Sequence, residues 1–397
     1  MLRVALVGGD DIACDDAGWE SLGQLCAALS ARGHDTAAYV RRPGPGWSSA
    51  DGYRAVPIAV GPRAGAPAHE VLPHVGEWAT ELERAWSSDP PDAVHAYGWL
   101  GGLAAQLAAR RRRIPVVQSF LGLAATSRPP GSRGRWQDSE RGRIEWLLAR
   151  SAAWVTGECA ADVDALARMR RGRTRMSTLT GGVDVERYSP VGLAAPRTGL
   201  HRVLSLAPNL LWHNGIDILI EALAKVPGAE LVIAETGRGD GPDDGRAALQ
   251  RLAASLGVGD RVRFAGRVAD SELPALVRSG DVVACTPRRP PRATTVLRAM
   301  ACGVAVVAPP VGVLGDVVID NVTGMLLPTD SPGAFGLALR RVLAQSFQCE
   351  GMGAAGRSRA LSRFSWDRIA LDSLDIYRQL GPKSPVAAQP VASGVRP

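Results

Sequence analysis

No stretch of about 18 uncharged apolar residues occurs in the chain, so the sequence predicts no membrane-spanning helix. The N-terminus, MLRVALVGGDD, has neither the apolar core nor the small-residue cleavage site of a secretion signal. A cytoplasmic protein is expected on both counts. Cysteine is sparse and scattered, at Cys14, Cys26, Cys159, Cys285, Cys302 and Cys349. No CxxC pair and no Cys/His spacing suited to zinc occurs, so reduced, mostly buried thiols and no metal site are expected. The formal charge is +7. Aromatic residues do not interleave with the basic runs at 110–113 and 168–175, as a stacking platform for nucleic acid would require. Nucleic acid is therefore excluded as an expected partner. The 110–113 run reads as a solvated basic face, with anionic lipid headgroups as the alternative contact. The turn Gly8-Gly9-Asp10-Asp11 after the first apolar run is not the GxGxxG of a dinucleotide site.

What is present is a long alternation of apolar strand-like runs and helix-like stripes, 46% hydrophobic and 21% charged. At 397 residues the chain suits two domains rather than one. Strands are expected at 3–7, 36–40, 93–95, 115–119 and 153–156, with helices at 19–31 and 140–151 among them. Residues 191–200, rich in Pro, Gly and Ala, read as a linker. The pattern restarts with strands at 202–207, 230–234, 262–265, 282–285, 305–308 and 324–327. Helices are expected at 215–225, 243–256, 272–279, 294–302, 333–345 and 366–380. The fold class is α/β: two Rossmann-like, doubly wound parallel-sheet domains, at 1–190 and 201–365, facing across a cleft. The Pro- and Ala-rich tail, 382–397, is expected to be disordered. Ligands of such sheets bind beyond the carboxyl ends of the strands, so the cleft is the expected site.

Several segments then resemble family 4 glycosyltransferases, retaining enzymes of the GT-B fold. These are TGGVDVERYSP (180–190), NGIDILIEAL (214–223), DRVRFAGRV (260–268), LRAMACGVAVV (297–307), NVTGMLL (321–327) and Phe364-Ser365-Trp366. The N-terminal half agrees through Arg32-Gly33-His34-Asp35 and HAYGWL (95–100). The resemblance covers nearly the whole chain in the right order. Its closest flavour is the actinobacterial branch acting on inositol phosphates, lipids or small polar acceptors. It implies metal-independent transfer from a nucleotide sugar, with no other cofactor, and leaves the base, the sugar, the acceptor and the oligomeric state open. It also implies that the helix over 366–381 crosses back onto the N-terminal domain.

The family meets the diphosphate with an Arg and a Lys (G-R-L-x-x-x-K-G) and a helix N-terminus. It holds sugar and ribose hydroxyls with two Glu (E-P-F-G-L-x-x-L-E), and lines the reacting centre with the His of T-F-H. Here Asn209 and Asn214 stand for the Arg and Lys, Pro290 and Arg298 for the two Glu, and Leu121 for the His. The resemblance thus assigns donor and phosphate contacts to Asn209, His213, Asn214, Gly215, Arg292, Thr294, Thr295 and Arg298, and the base region to Gly266, Arg267 and Val268. Gly18, His95 and Ser119 fall on the acceptor side, and His95 and Arg298 are the catalytic candidates. Trp99 reads as core and Trp212 as either core or a sugar-stacking ring. Arg288, Arg289, Arg292 and Arg298 would put four guanidinium groups around the donor site. Two readings stand side by side: a rewired anion site, or a drifted one whose arginines point to solvent. The corresponding functions are an active transferase, for a sugar or another nucleotide-activated group, and an inactive scaffold partner of an active enzyme.

Overall fold

The computed structural model describes residues 1–8, 16–42, 52–127, 139–237 and 244–380. Gly9, Asp10, Asp11 and the tail from Pro382 lie outside them. In the first half, strands β1 (Arg3–Gly8), β2 (Asp35–Arg41), β3 (Arg54–Ile58), β4 (Ala93–Tyr97), β5 (Val116–Ser119), β6 (Trp154–Gly157) and β7 (Met176–Thr178) form one sheet. Their order is β3-β2-β1-β4-β5-β6-β7 and every pair is parallel. Parallel neighbours need crossovers, and helices α1 (Asp16–Ser30), α2 (Val75–Ser88), α3 (Trp99–Arg112), α4 (Glu140–Ser151) and α5 (Ala160–Arg170) serve as such. The second half repeats the scheme with β8 (His201–Ala207), β9 (Ala229–Glu235), β10 (Val262–Arg267), β11 (Val282–Ala284), β12 (Ala305–Ala308) and β13 (Gly324–Leu326). These run parallel in the order β10-β9-β8-β11-β12-β13. Helices α6 (Ile216–Leu223), α7 (Asp244–Ser255), α8 (Leu273–Arg278), α9 (Thr294–Ala301), α10 (Pro332–Ala344) and α11 (Ser346–Arg359) belong with this sheet, and α12 (Trp366–Leu380) ends the described chain. The two doubly wound parallel-sheet domains expected from the alternation are both present.

Strand periodicity sends side chains to both faces of each sheet. Val4, Leu6, Ala38 and Val40 enter one apolar cluster, while Ala5, Val7, Ala37 and Tyr39 enter the other. Helix α12 supplies Ile369, Ala370, Leu374, Ile376 and Tyr377 to the first of these, against Leu22 and Leu25 of α1. Each of the Leu and Ile side chains contributes about 1.5–3 kcal/mol when fully buried. Caps are local: Ser139 Oγ accepts the Gly142 N–H at the start of α4 (3.0 Å), and Ser331 caps α10 ahead of Pro332. Strand β3 and helices α2, α5 and α11 add to the sequence expectation. The buried stripe of α2, Val75, Trp78, Ala79, Leu82 and Trp86, has helical spacing.

In α11, a Cβ built on Gly353 would lie 1.9 Å from the Gly303 carbonyl oxygen. Gly353→Ala should therefore force backbone apart and cost about 1–3 kcal/mol, read as a lower denaturant midpoint.

The chain passes between the domains twice, and the two passages run side by side. Val183 pairs with Ser365, and the Val183 N–H donates to the Phe364 carbonyl (2.8 Å). The Arg357 guanidinium ties the junction by donating to the carbonyls of Val185, Tyr188 and Ala301. Residues 191–200 hold no helix or strand. They are fastened to α8, where Arg278 Nε donates to the Leu193 carbonyl (2.7 Å).

Candidate functional site

The second sheet reverses its winding between β8 and β11, the place where open α/β sheets bind ligands. A cavity of about 240 Å³ opens there. Its walls are Ser205, Leu206 and Ala207 at the end of β8, Thr236 after β9, and Cys285, Thr286 and Pro287 after β11. Thr294 and Thr295, at the N-terminus of α9, close one side. Among the described residues no side chain caps that terminus, so its first N–H groups and the positive end of its dipole are left for a ligand. Arg289, Arg292 and Arg298 line the cavity, and no Asp or Glu does so among the described residues. These guanidinium groups do not all point to solvent. Arg298 is 7% exposed and lies over the Tyr188 ring at 5.1 Å. Arg289 lies over Trp212 at 5.3 Å, and Trp212 is 61% exposed, so it is not core. Trp99, by contrast, is buried in the core. Burial, then the charge of Arg289, lowers the His213 pKa, so this lining imidazole is neutral at pH 7.

Arg288, expected with the other three, is turned away. Its Nη1 and Nη2 donate to the two Asp217 carboxylate oxygens (2.8 Å each), and its Nε donates to Asp330 (2.7 Å). The hydrogen bonds to Asp217 raise its pKa further. The site thus has three guanidinium groups, not four.

Asn209 and Asn214 bond to each other. Asn214 Nδ2 donates to Asn209 Oδ1 (2.8 Å) and to its carbonyl (2.9 Å), and Asn209 Oδ1 also accepts the Leu211 N–H (3.1 Å). Two cations at this separation would repel, whereas two amides satisfy each other. Asn214 lines the cavity and Asn209 does not. Gly215 follows with φ +67°, and a Cβ there would sit 1.9 Å from the Thr286 carbonyl oxygen. Only glycine lets this loop press against the end of β11. Gly266, Arg267 and Val268 do not line the cavity. They lie one strand further out, where β10 bulges at Gly266 and the Val268 N–H donates to the Glu235 carbonyl (3.1 Å).

Across the cleft, a smaller cavity of about 30 Å³ sits at the carboxyl ends of β4 to β7. Tyr97, Ser119, Leu121, Glu158 and Thr180 line it, with Trp366 of α12. Arg292 reaches in from the other domain and lines both cavities. Its Nη2 stands 3.8 Å from Glu158 Oε1, and the side chains are 18% and 8% exposed. Glu158 carries no motif that would single it out in the sequence. His95 does not line the cavity. It is fully buried behind Ser119, with Nε2 hydrogen-bonded to Ser119 Oγ (2.7 Å) and Nδ1 to Tyr377 Oη (2.6 Å). Ser119 Oγ in turn pairs with Thr156 Oγ1 (2.6 Å). Burial pushes the His95 pKa down to about 3, so the ring is neutral. Its placement is that of a support behind Ser119, beneath the wall of the smaller cavity. Gly18 lies within α1, and its surroundings fall outside the described residues.

Among the described residues, no three His, Cys, Asp or Glu side chains converge to hold a metal ion. No described helix is long and apolar enough to cross a membrane.

The halves match two family models, "Glycosyl transferase 4-like domain" over residues 18–182 and "Glycosyl transferases group 1" over 201–359. The chain is 28% identical over 383 residues to a D-inositol 3-phosphate glycosyltransferase of Xylanimonas cellulosilytica, spanning 91% of each. A protein of the same name from Saccharomonospora viridis is 30% identical over 303 residues, 72% of this chain and 70% of that one. The fold superposes on the sucrose-phosphate synthase of Thermosynechococcus elongatus with a TM-score of 0.81, at 22% identity, covering 96% of this chain and 99% of that one. The chain belongs to the group 1, family 4 glycosyltransferases of the GT-B fold.

Proposed function

We propose that this chain transfers a sugar, with retention and without a metal ion, from a nucleotide sugar to a small hydroxyl-bearing acceptor, in the cytoplasm. The supporting observation is the cavity between β8 and β11, with three guanidinium groups, a bare helix N-terminus and no lining carboxylate among the described residues. In this reading the donor diphosphate lies at the start of α9 between Arg292 and Arg298. Charge building on the leaving group then meets fixed donors. Each charge-assisted contact contributes about 1.5–3 kcal/mol. Arg292 and Arg298 take over the duty that the neutral Asn209–Asn214 pair no longer performs. The acceptor enters over Ser119, Glu158 and Thr180, which suit the hydroxyl groups of a polyol. The names of the relatives favour an inositol phosphate, with lipid and natural-product acceptors as the alternatives. A lipid acceptor would fit contact between the basic run at 110–113 and an anionic membrane.

A second reading, an inactive scaffold partner, is favoured by Pro290 and by the mutually satisfied Asn pair. The test is incubation of purified protein with UDP-, GDP- and ADP-sugars, with and without inositol phosphate. Sugar transfer supports the first reading. Nucleotide binding without turnover at high enzyme concentration supports the second. Neither binding nor turnover removes the donor site from both.

A further inference from the structure

Among the described residues Arg292 is the only one that lines both cavities, and it is poorly satisfied. Among the described residues its guanidinium has one ion-pair partner, Glu158 of the opposite domain, at a distance beyond hydrogen-bond length. Its Nε is buried without a hydrogen-bond partner among the described residues. A donor-rich cation held this loosely will exchange its carboxylate for a ligand that offers several oxygens at closer range. Glu158 is set firmly by contrast. Its N–H donates to Asp162 Oδ2 (3.2 Å), and its carbonyl accepts from Thr180 Oγ1 (2.8 Å). Close by in the chain, the Ala160 N–H donates to Asp316 Oδ2 of the other domain (2.6 Å). An interdomain hydrogen bond thus lies two residues from the pair.

We propose that Glu158 is a positioning residue that competes with the donor diphosphate for Arg292. Before the donor binds, the pair joins the domains and the guanidinium stands in the smaller cavity. A diphosphate at the start of α9 draws the guanidinium away, and the released carboxylate faces Ser119 and Thr180, where it accepts a hydrogen bond from an acceptor hydroxyl. The exchange imposes an order, donor first and acceptor second. It rests on the reading of the larger cavity as a diphosphate site.

The test is calorimetric titration with inorganic pyrophosphate, UDP and GDP of the wild-type chain and of Glu158→Gln, Arg292→Gln and the double variant. Pyrophosphate serves as the probe that needs no knowledge of the base. Glu158→Gln should bind about tenfold more tightly than wild type, equivalent to about 1.4 kcal/mol. Arg292→Gln should bind about tenfold more weakly, and adding Glu158→Gln to it should change nothing further. Glu158→Asp, which shortens the carboxylate, should also tighten binding, so the outcome does not hang on one variant folding. With an active donor, Glu158→Gln should lower kcat while tightening the donor, and initial-rate patterns should change from ordered to random. Unchanged or weaker binding by Glu158→Gln overturns the proposal while leaving the diphosphate site standing. The same holds if its gain persists without Arg292. Failure of both wild type and Glu158→Gln to bind any probe overturns both.

Discussion

Alanine at both Arg292 and Arg298 is expected to weaken nucleoside diphosphate binding by about two to four orders of magnitude. The figure follows from two charge-assisted contacts of about 1.5–3 kcal/mol each. Stability should fall far less. Among the described residues, Arg292 has only its 3.8 Å ion pair with Glu158 to lose. The stacking of Arg298 on Tyr188, at 5.1 Å, contributes on the order of 0.5–2 kcal/mol. Arg288→Ala is the contrasting control. It removes bonds to Asp217 and Asp330 that brace the loop, so its effect should appear as lost stability, with ligand affinity shifting by under tenfold. Equal losses of affinity in the two variants would mean that the guanidinium groups act through loop structure rather than on the ligand.

His95→Gln is expected to have the largest pH signature. The folded ring has a pKa of about 3 against an ordinary 6.5, caused by burial. Between these values the unfolded chain takes up a proton that the folded chain refuses. The contribution of His95 is therefore fully present above about pH 6.5 and is lost as pH falls, at roughly 1.4 kcal/mol per pH unit. By pH 4.5 the loss amounts to about 2.7 kcal/mol. Glutamine keeps a donor and an acceptor for Ser119 and Tyr377 but does not titrate. Denaturant unfolding at pH 7 should show the variant less stable, because its shape fits the His95 pocket poorly. At pH 4.5 the gap should narrow by about 2–3 kcal/mol. A gap that is the same at both pH values would assign the acid sensitivity to other groups.

What could be read from the sequence follows burial and local pattern. Strands β1, β2, β8 and β9 are buried on both faces and so form mostly apolar runs. Strand β3 is a sheet edge, carries Pro57 and exposes Arg54, so it gives no such run. Helix α11 contains Gly351, Gly353 and Gly356, which argue against a helix by propensity. Close packing of Gly353 on Gly303 overrides that preference. Helix α2 lies outside the sequence expectation although its buried stripe has helical spacing throughout. In the site, His213, Asn214, Arg292, Thr294, Thr295 and Arg298 meet around one cavity, because a helix N-terminus and its preceding loop are short, local units. What needed the fold was pairing. Position-by-position reading treats Asn209 and Asn214 as two separate losses, whereas the turn joins them. The diversion of Arg288 depends on Asp217, and the ion pair of Glu158 depends on a residue in the other domain. Neither partner is marked by spacing.

Whether the cavity between β8 and β11 takes the diphosphate of a nucleotide sugar is tested most directly by titrating the wild-type chain with UDP, GDP and ADP, with the Arg292→Ala/Arg298→Ala double variant alongside. The expected result is saturable binding of at least one nucleotide. At about 100 times its Kd that nucleotide should stabilise the wild type by about 2.7 kcal/mol, and the effect should vanish in the double variant. Absence of binding by all three at millimolar concentration, or binding that survives both substitutions, would contradict it.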